Sequence, residues 1–112
     1  MTYSYNAKVI DVKTGDTFTA SIDLGFGQVI EQEINMLGIE APPLKKLDDE
    51  KVVQDPVGVA SKKKLTELIK GKEVIIETRK INDTYSARVI IEGMQLPINE
   101  YMVRYGLATM KR

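Results

Sequence analysis

The sequence predicts a mainly β, α+β domain: five strands closing into a small Greek-key barrel, with one helix after the third strand and a short C-terminal helix. Three observations carry this reading. Residues 17–24 alternate cleanly, with Phe18, Ala20, Ile22 and Leu24 on one face and Thr17, Thr19, Ser21 and Asp23 on the other. A helical pattern opens at Asp55-Pro56 and is stopped by Gly71. At 112 residues and 43% hydrophobic content, the chain suits one domain over residues 1–112 with one modest core.

Taken in order, residues 7–12 are rich in β-branched side chains and form the first strand, which ends in a Thr14-Gly15-Asp16 turn. The alternating stretch 17–24 is the second strand. Gly25-Phe26-Gly27 supplies a hairpin loop, and residues 28–39 return as a long third strand with Ile30, Ile34 and Met36 on one face. The third strand closes at Gly38, followed by Glu40 and the stiff Pro42-Pro43 bend. Residues 44–55 show no sustained period and predict a mobile surface loop with charges of alternating sign. A helix over 56–70 takes Asp55 as N-cap and approximates an apolar stripe of Val57, Ala60, Leu65, Leu68 and Ile69. Strands over 73–80 and 85–92 follow, joined by Ile81-Asn82-Asp83-Thr84. The last helix takes Asn99 as N-cap, with Ile98 and Val103 stapling its start and Gly106 just past its end. Five strands with helices in these places match a barrel of the oligonucleotide-binding type.

Composition narrows the chemistry. The 16 basic and 16 acidic residues cancel, so a polyanion would have to be held by a local patch rather than a global field. Without cysteine or histidine there is no disulfide, no thiol or imidazole catalysis and no usual zinc ligand. No basic leader precedes an apolar run and no apolar run approaches about 18 residues, so a soluble, cytoplasmic chain with no membrane partner is expected. Asp16 and Glu40 lie at two strand ends and could converge on an oxygen-ligand site for a hard cation. Each also has a plainer reading, Asp16 as a turn residue and Glu40 as a solvated carboxylate. Lys62, Lys63 and Lys64 form either a phosphate-contacting patch or the wet face of a helix. Tyr85 can stack on a base or pack at a rim.

Several segments, in their order and spacing, carry a resemblance: Val9-Ile10-Asp11 running into Gly15-Asp16-Thr17; Leu37-Gly38-Ile39-Glu40-Ala41-Pro42; Leu65-x-x-Leu68-Ile69-x-Gly71-Lys72-x-Val74; Asp83-x-Tyr85; and Asn99-Glu100-x-x-Val103-Arg104-x-Gly106-Leu107-Ala108. Through these the chain resembles the staphylococcal nuclease, or thermonuclease-like, family over nearly its whole length, as a divergent and short member.

The resemblance implies phosphodiester cleavage of DNA and RNA by one calcium ion, two metal-binding aspartates, a water-orienting glutamate and two phosphate-gripping arginines. Carried over position by position, the first aspartate is Asp16. The second falls on Glu40, one methylene longer. The glutamate falls on Pro43, which has no ionisable group, and the first arginine on the neutral Asn35. The second arginine falls on Ala87. Arg88 comes one residue late, turned to the opposite strand face unless a bulge brings it back.

The expectation is therefore a nuclease-like domain with most catalytic residues replaced, a binding module for single-stranded DNA or RNA or for a protein partner. Its nucleic-acid contacts would be Tyr85, Arg88, Lys62 and Lys63, and its cofactor either none or a weakly bound calcium at Asp16 and Glu40. The alternative is a weak calcium-dependent phosphodiesterase that recruits Arg88, and a third reading is a structural or assembly role.

Overall fold

The structure, a computed structural model, describes residues 3–48, 51–81 and 84–110. Nine strands and two helices are assigned among them: β1 (Tyr3–Val12), β2 (Thr17–Gly25), β3 (Gln28–Met36), β4 (Ile39–Glu40), β5 (Lys45–Asp48), β6 (Lys51–Gln54), α1 (Pro56–Ile69), β7 (Glu73–Ile81), β8 (Thr84–Ile90), α2 (Ile98–Arg104) and β9 (Thr109–Met110). Five of the strands close a barrel in the order β1-β2-β3-β8-β7. Every neighbouring pair is antiparallel except β3 with β8, which is parallel and joined at only two residue pairs, Asn35 with Ser86 and Met36 with Ala87.

The alternation read in the sequence points Phe18, Ala20 and Ile22 of β2 into the barrel. They meet Val9 of β1, Ile34 of β3, Ile76 of β7 and Val89 of β8, and α1 and α2 cap this core with Leu65, Ile69, Ile98 and Met102. The apolar face of the β2–β3 hairpin outruns the core. Leu24 and Ile30 share the inward parity of Ile22 and Ile34 yet are 39% and 43% exposed, so the hairpin projects beyond the closed barrel.

Four expectations are corrected. The third strand ends at Met36 rather than residue 39, because Gly38 takes φ +80° and breaks the ladder. Ile39 and Glu40 then pair with Met110 and Thr109 instead. The segment expected as a loop over 44–55 contains an antiparallel hairpin, β5 with β6, in register from Lys45–Gln54 to Asp48–Lys51. Asn99 does not cap α2: Pro97 occupies that position, and Asn99 is buried as the second residue of the helix. Asp55 does cap α1, its Oδ1 accepting from the Val57 amide at 3.0 Å.

The buried face of α1 is the fourth correction. It is Gly58, Ser61, Leu65 and Ile69, with Val57 57% exposed. Small residues stand there because the backbones come close: a Cβ at Gly58 would overlap the Pro43 carbonyl, and one at Gly15 would overlap the Ser61 hydroxyl. Ser61 Oγ donates to Leu107 O at 2.7 Å, tying α1 to the segment after α2. Asn82 and Asp83, expected to turn between β7 and β8, lie outside the described residues.

Candidate functional site

The turn after β1 folds Asp16 back on its own neighbours. Asp16 Oδ1 accepts from Thr14 Oγ1 at 2.7 Å and lies 3.1 Å from Thr17 Oγ1, while Oδ2 accepts from the Ala41 amide at 3.0 Å. Thr17 Oγ1 also lies 3.0 Å from Asn35 Oδ1. A hydroxyl has one proton to give, so Thr17 serves either Asp16 or Asn35 at a time. The Ala41 bond draws the segment after Glu40 onto the Asp16 turn, so the sequence-predicted pair does share one corner of the barrel. Glu40 itself is exposed and held by its backbone, its carbonyl accepting from Thr109 Oγ1 at 3.3 Å.

This donor set does not fit a calcium centre. Calcium takes six to eight oxygens, mostly unprotonated carboxylate and carbonyl. Both Asp16 oxygens already accept protein hydrogen bonds, and among the described residues no three acidic side chains converge as a metal-holding group. Pro43 offers only backbone there, and its carbonyl is packed against Gly58.

The positions around this corner are neutral. Thr17, Asn35 and Ser86 follow one another across β2, β3 and β8. Ala87 is fully buried. The β7–β8 register runs from Ile75–Ile90 to Ile81–Thr84 without a shift, so no bulge reorients Arg88. Its guanidinium instead lies on the opposite face from Ala87, 2.9 Å from Glu100 and 3.7 Å from Glu77. Lys63 is exposed on the outer flank of α1, whereas Lys62, four residues after Gly58, is half-buried at the edge of the packing face.

Tyr85 lies elsewhere, at the mouth of the barrel where β3 outruns β8. A cleft of about 700 Å³ opens there, lined by Tyr3, Tyr5, Ile34, Arg79, Lys80 and Tyr85 among others, with no acidic side chain among the described residues of its wall. Lys80 Nζ stands 5.6 Å from the Tyr85 ring centre, a cation–π contact. A second groove, of about 730 Å³, runs under the hairpin tip, but Asp23, Glu73 and Glu92 outnumber its one cation, Lys8. Among the described residues, the mouth combines aromatic faces with more cations than anions, and the groove does not.

Sequence reading missed Tyr3, Tyr5, Arg79 and Lys80 as mouth residues. The Tyr3-x-Tyr5 alternation continues the inward parity of β1 and could have extended that strand four residues toward the N-terminus. Tyr101 and Tyr105 pack on each other along α2, ring centres 4.5 Å apart. No helix among the described residues is long and apolar enough to cross a membrane.

Comparison with known proteins adds one finding. The family model described as staphylococcal nuclease homologue matches residues 33–112, from the second half of β3 onward. A search of curated proteins finds no match.

Proposed function

The chain belongs to the staphylococcal nuclease homologue family, and from that premise we propose that it is a non-catalytic, cytoplasmic binding module for single-stranded nucleic acid. The observation that supports this best is the barrel mouth, where the Tyr3, Tyr5 and Tyr85 rings line one cleft with Arg79 and Lys80. Bases stack on such rings irrespective of sequence, and the two cations meet the phosphates that follow. Loss of catalysis is supported by the acidic corner. Asp16 spends its oxygens on Thr14, Thr17 and Ala41, and Asn35, Pro43 and Ala87 supply neither guanidinium nor base.

Fluorescence anisotropy of a labelled oligo-dT tests the reading. The wild-type chain binds, Tyr85→Ala loses about tenfold in affinity, the value of one stacked base. The salt dependence has a shallow log–log slope of about −1.4, as expected for two phosphate contacts on a single strand. Unchanged affinity in Tyr85→Ala would remove the mouth as the binding site, and no binding at all would remove nucleic acid as the ligand. Cleavage that needs both calcium and Asp16 would restore the phosphodiesterase reading.

A further inference from the structure

The β2–β3 hairpin has one unused edge. Met36 N donates to Asp16 O on the β2 side and Leu37 N donates to Ala87 O on the β8 side. Along a strand the amides alternate in direction, and the register of β3 with β2 is unbroken from Thr17–Asn35 to Asp23–Val29. The amides of Ile30, Gln32 and Ile34 therefore point to β2, and those of Val29, Glu31 and Glu33 point the other way. Among the described residues β8 pairs with β3 only at Asn35 and Met36, so the Val29, Glu31 and Glu33 backbone faces an open edge. An edge of this kind is a template for another strand.

The two faces of that edge differ. Outward, Glu31 and Glu33 are exposed, with Asp23 beside them on β2, and one cation, Lys13, answers Glu33 at 2.8 Å. Inward, Ile30 and Leu24 are partly bare, next to the mouth. We propose that the β3 edge accepts an extended segment of a protein partner in which basic and apolar residues alternate, the basic ones lying over Glu31 and Glu33 and the apolar ones over Ile30. Backbone bonds supply the affinity in this mode and alternating side chains the selectivity. A second copy of the chain is the poorer occupant. Antiparallel pairing of two β3 edges centred on Glu31 sets Glu31 against Glu31, and like charges directly opposite are destabilising. Tyr85 takes no part in this edge, but Ile30 and Leu24 belong to the wall of the mouth cleft as well, so a bound peptide would narrow the mouth.

The test uses three short labelled peptides: one alternating Lys and Val, one of the same composition in blocks, and one alternating Glu and Val. The first binds, and the other two bind at least about tenfold more weakly, the difference made by about 1.4 kcal/mol. Glu31→Gln weakens the Lys-Val peptide about threefold, as for an exposed charge contact. Glu31→Pro removes the edge amide without touching a bond to β2, and abolishes binding. Glu31→Lys, which keeps the backbone intact, weakens it more than Glu31→Gln and covers the case in which the proline variant does not fold. In amide-exchange NMR, Glu31 and Glu33 exchange quickly in the free chain and slow when peptide is added, while Ile30 and Ile34 are already slow. No binding of the Lys-Val peptide, equal binding of the block peptide, or full binding to a folded Glu31→Pro chain overturns the proposal. So does a chain that is already dimeric by sedimentation and turns monomeric in Glu31→Pro.

Discussion

Replacing Asp16 by alanine separates a structural carboxylate from a catalytic one. In a metal site carboxylates crowd together, and removing one relieves repulsion in the metal-free protein, so stability holds or rises. Here no third acidic side chain joins Asp16 and Glu40 among the described residues, and Asp16 accepts from Thr14 and the Ala41 amide, with Thr17 shared between it and Asn35. Deleting it strands the Ala41 N–H and removes charge-assisted bonds worth about 1.5–3 kcal/mol each when fully formed. Because the site is partly open and the threonine hydroxyls can turn to water, a total of about 2.5 kcal/mol is expected. For a domain of this size that lowers Tm by about 10 °C. Differential scanning calorimetry of wild type, Asp16→Ala and Asp16→Asn, each in chelator and in millimolar-order calcium, reads the outcome. Asn keeps one acceptor, so its loss falls between the other two. An Asp16→Ala chain as stable as wild type, together with a wild-type Tm that climbs with calcium, would refute the reasoning and return Asp16 to metal binding.

Three further outcomes follow from the same geometry. Asn99→Ala leaves Val89 N–H and Leu37 O without partners inside the protein and should cost about 3 kcal/mol, measured by urea unfolding at constant m. Phe26 sits fully exposed at φ 57°, a conformation unfavourable for a bulky side chain, so Phe26→Gly should hold stability level or raise it by up to about 1 kcal/mol. The Lys13 ammonium is held above the ordinary lysine range by its hydrogen bond to Glu33 and that carboxylate's charge. A raised folded value means that the stabilisation is fully present below the ordinary lysine pKa and fades as pH climbs through the folded one. The Tm gap between wild type and Lys13→Gln should therefore be constant near neutrality and close in strong alkali.

Much of the barrel was legible because its strands are half-buried and their side chains alternate. Phe18, Ala20 and Ile22 announce an inward face, and Asp55-Pro56 announces a helix start through purely local chemistry. What escaped depends on distant partners. The Ile39–Glu40 strand exists through Thr109 and Met110, and nothing near residue 39 encodes them. The packing face of α1 was read as its largest apolar side chains, whereas close backbone approach selects the smallest, Gly58 and Ser61. Asn99 was read as a cap because asparagine favours caps, but its amide spends three bonds on Val89, Leu37 and Ala87. At the candidate site, the neutral side chains of Asn35, Pro43 and Ala87 were visible from sequence alone. The engagement of Asp16 with Ala41, 25 positions away, was not.

The narrow contact between β3 and β8 also bears on how the chain reaches its native state. Its hairpins, β1–β2, β2–β3 and β7–β8, join neighbours in sequence and can form early, while Asn35 must find Ser86 across the intervening β5–β6 hairpin and α1. Closing so long a loop for two residue pairs earns little until other groups add to it, which makes the seam a late event in folding. Asn99 supplies that addition from α2, bonding Leu37 and Ala87 on the two sides of the seam at once. The closing step of the barrel thus waits on a helix that belongs to none of its strands. In stopped-flow refolding, Asn99→Ala should act mainly by speeding unfolding, the signature of a latch fastened after the rate-limiting barrier.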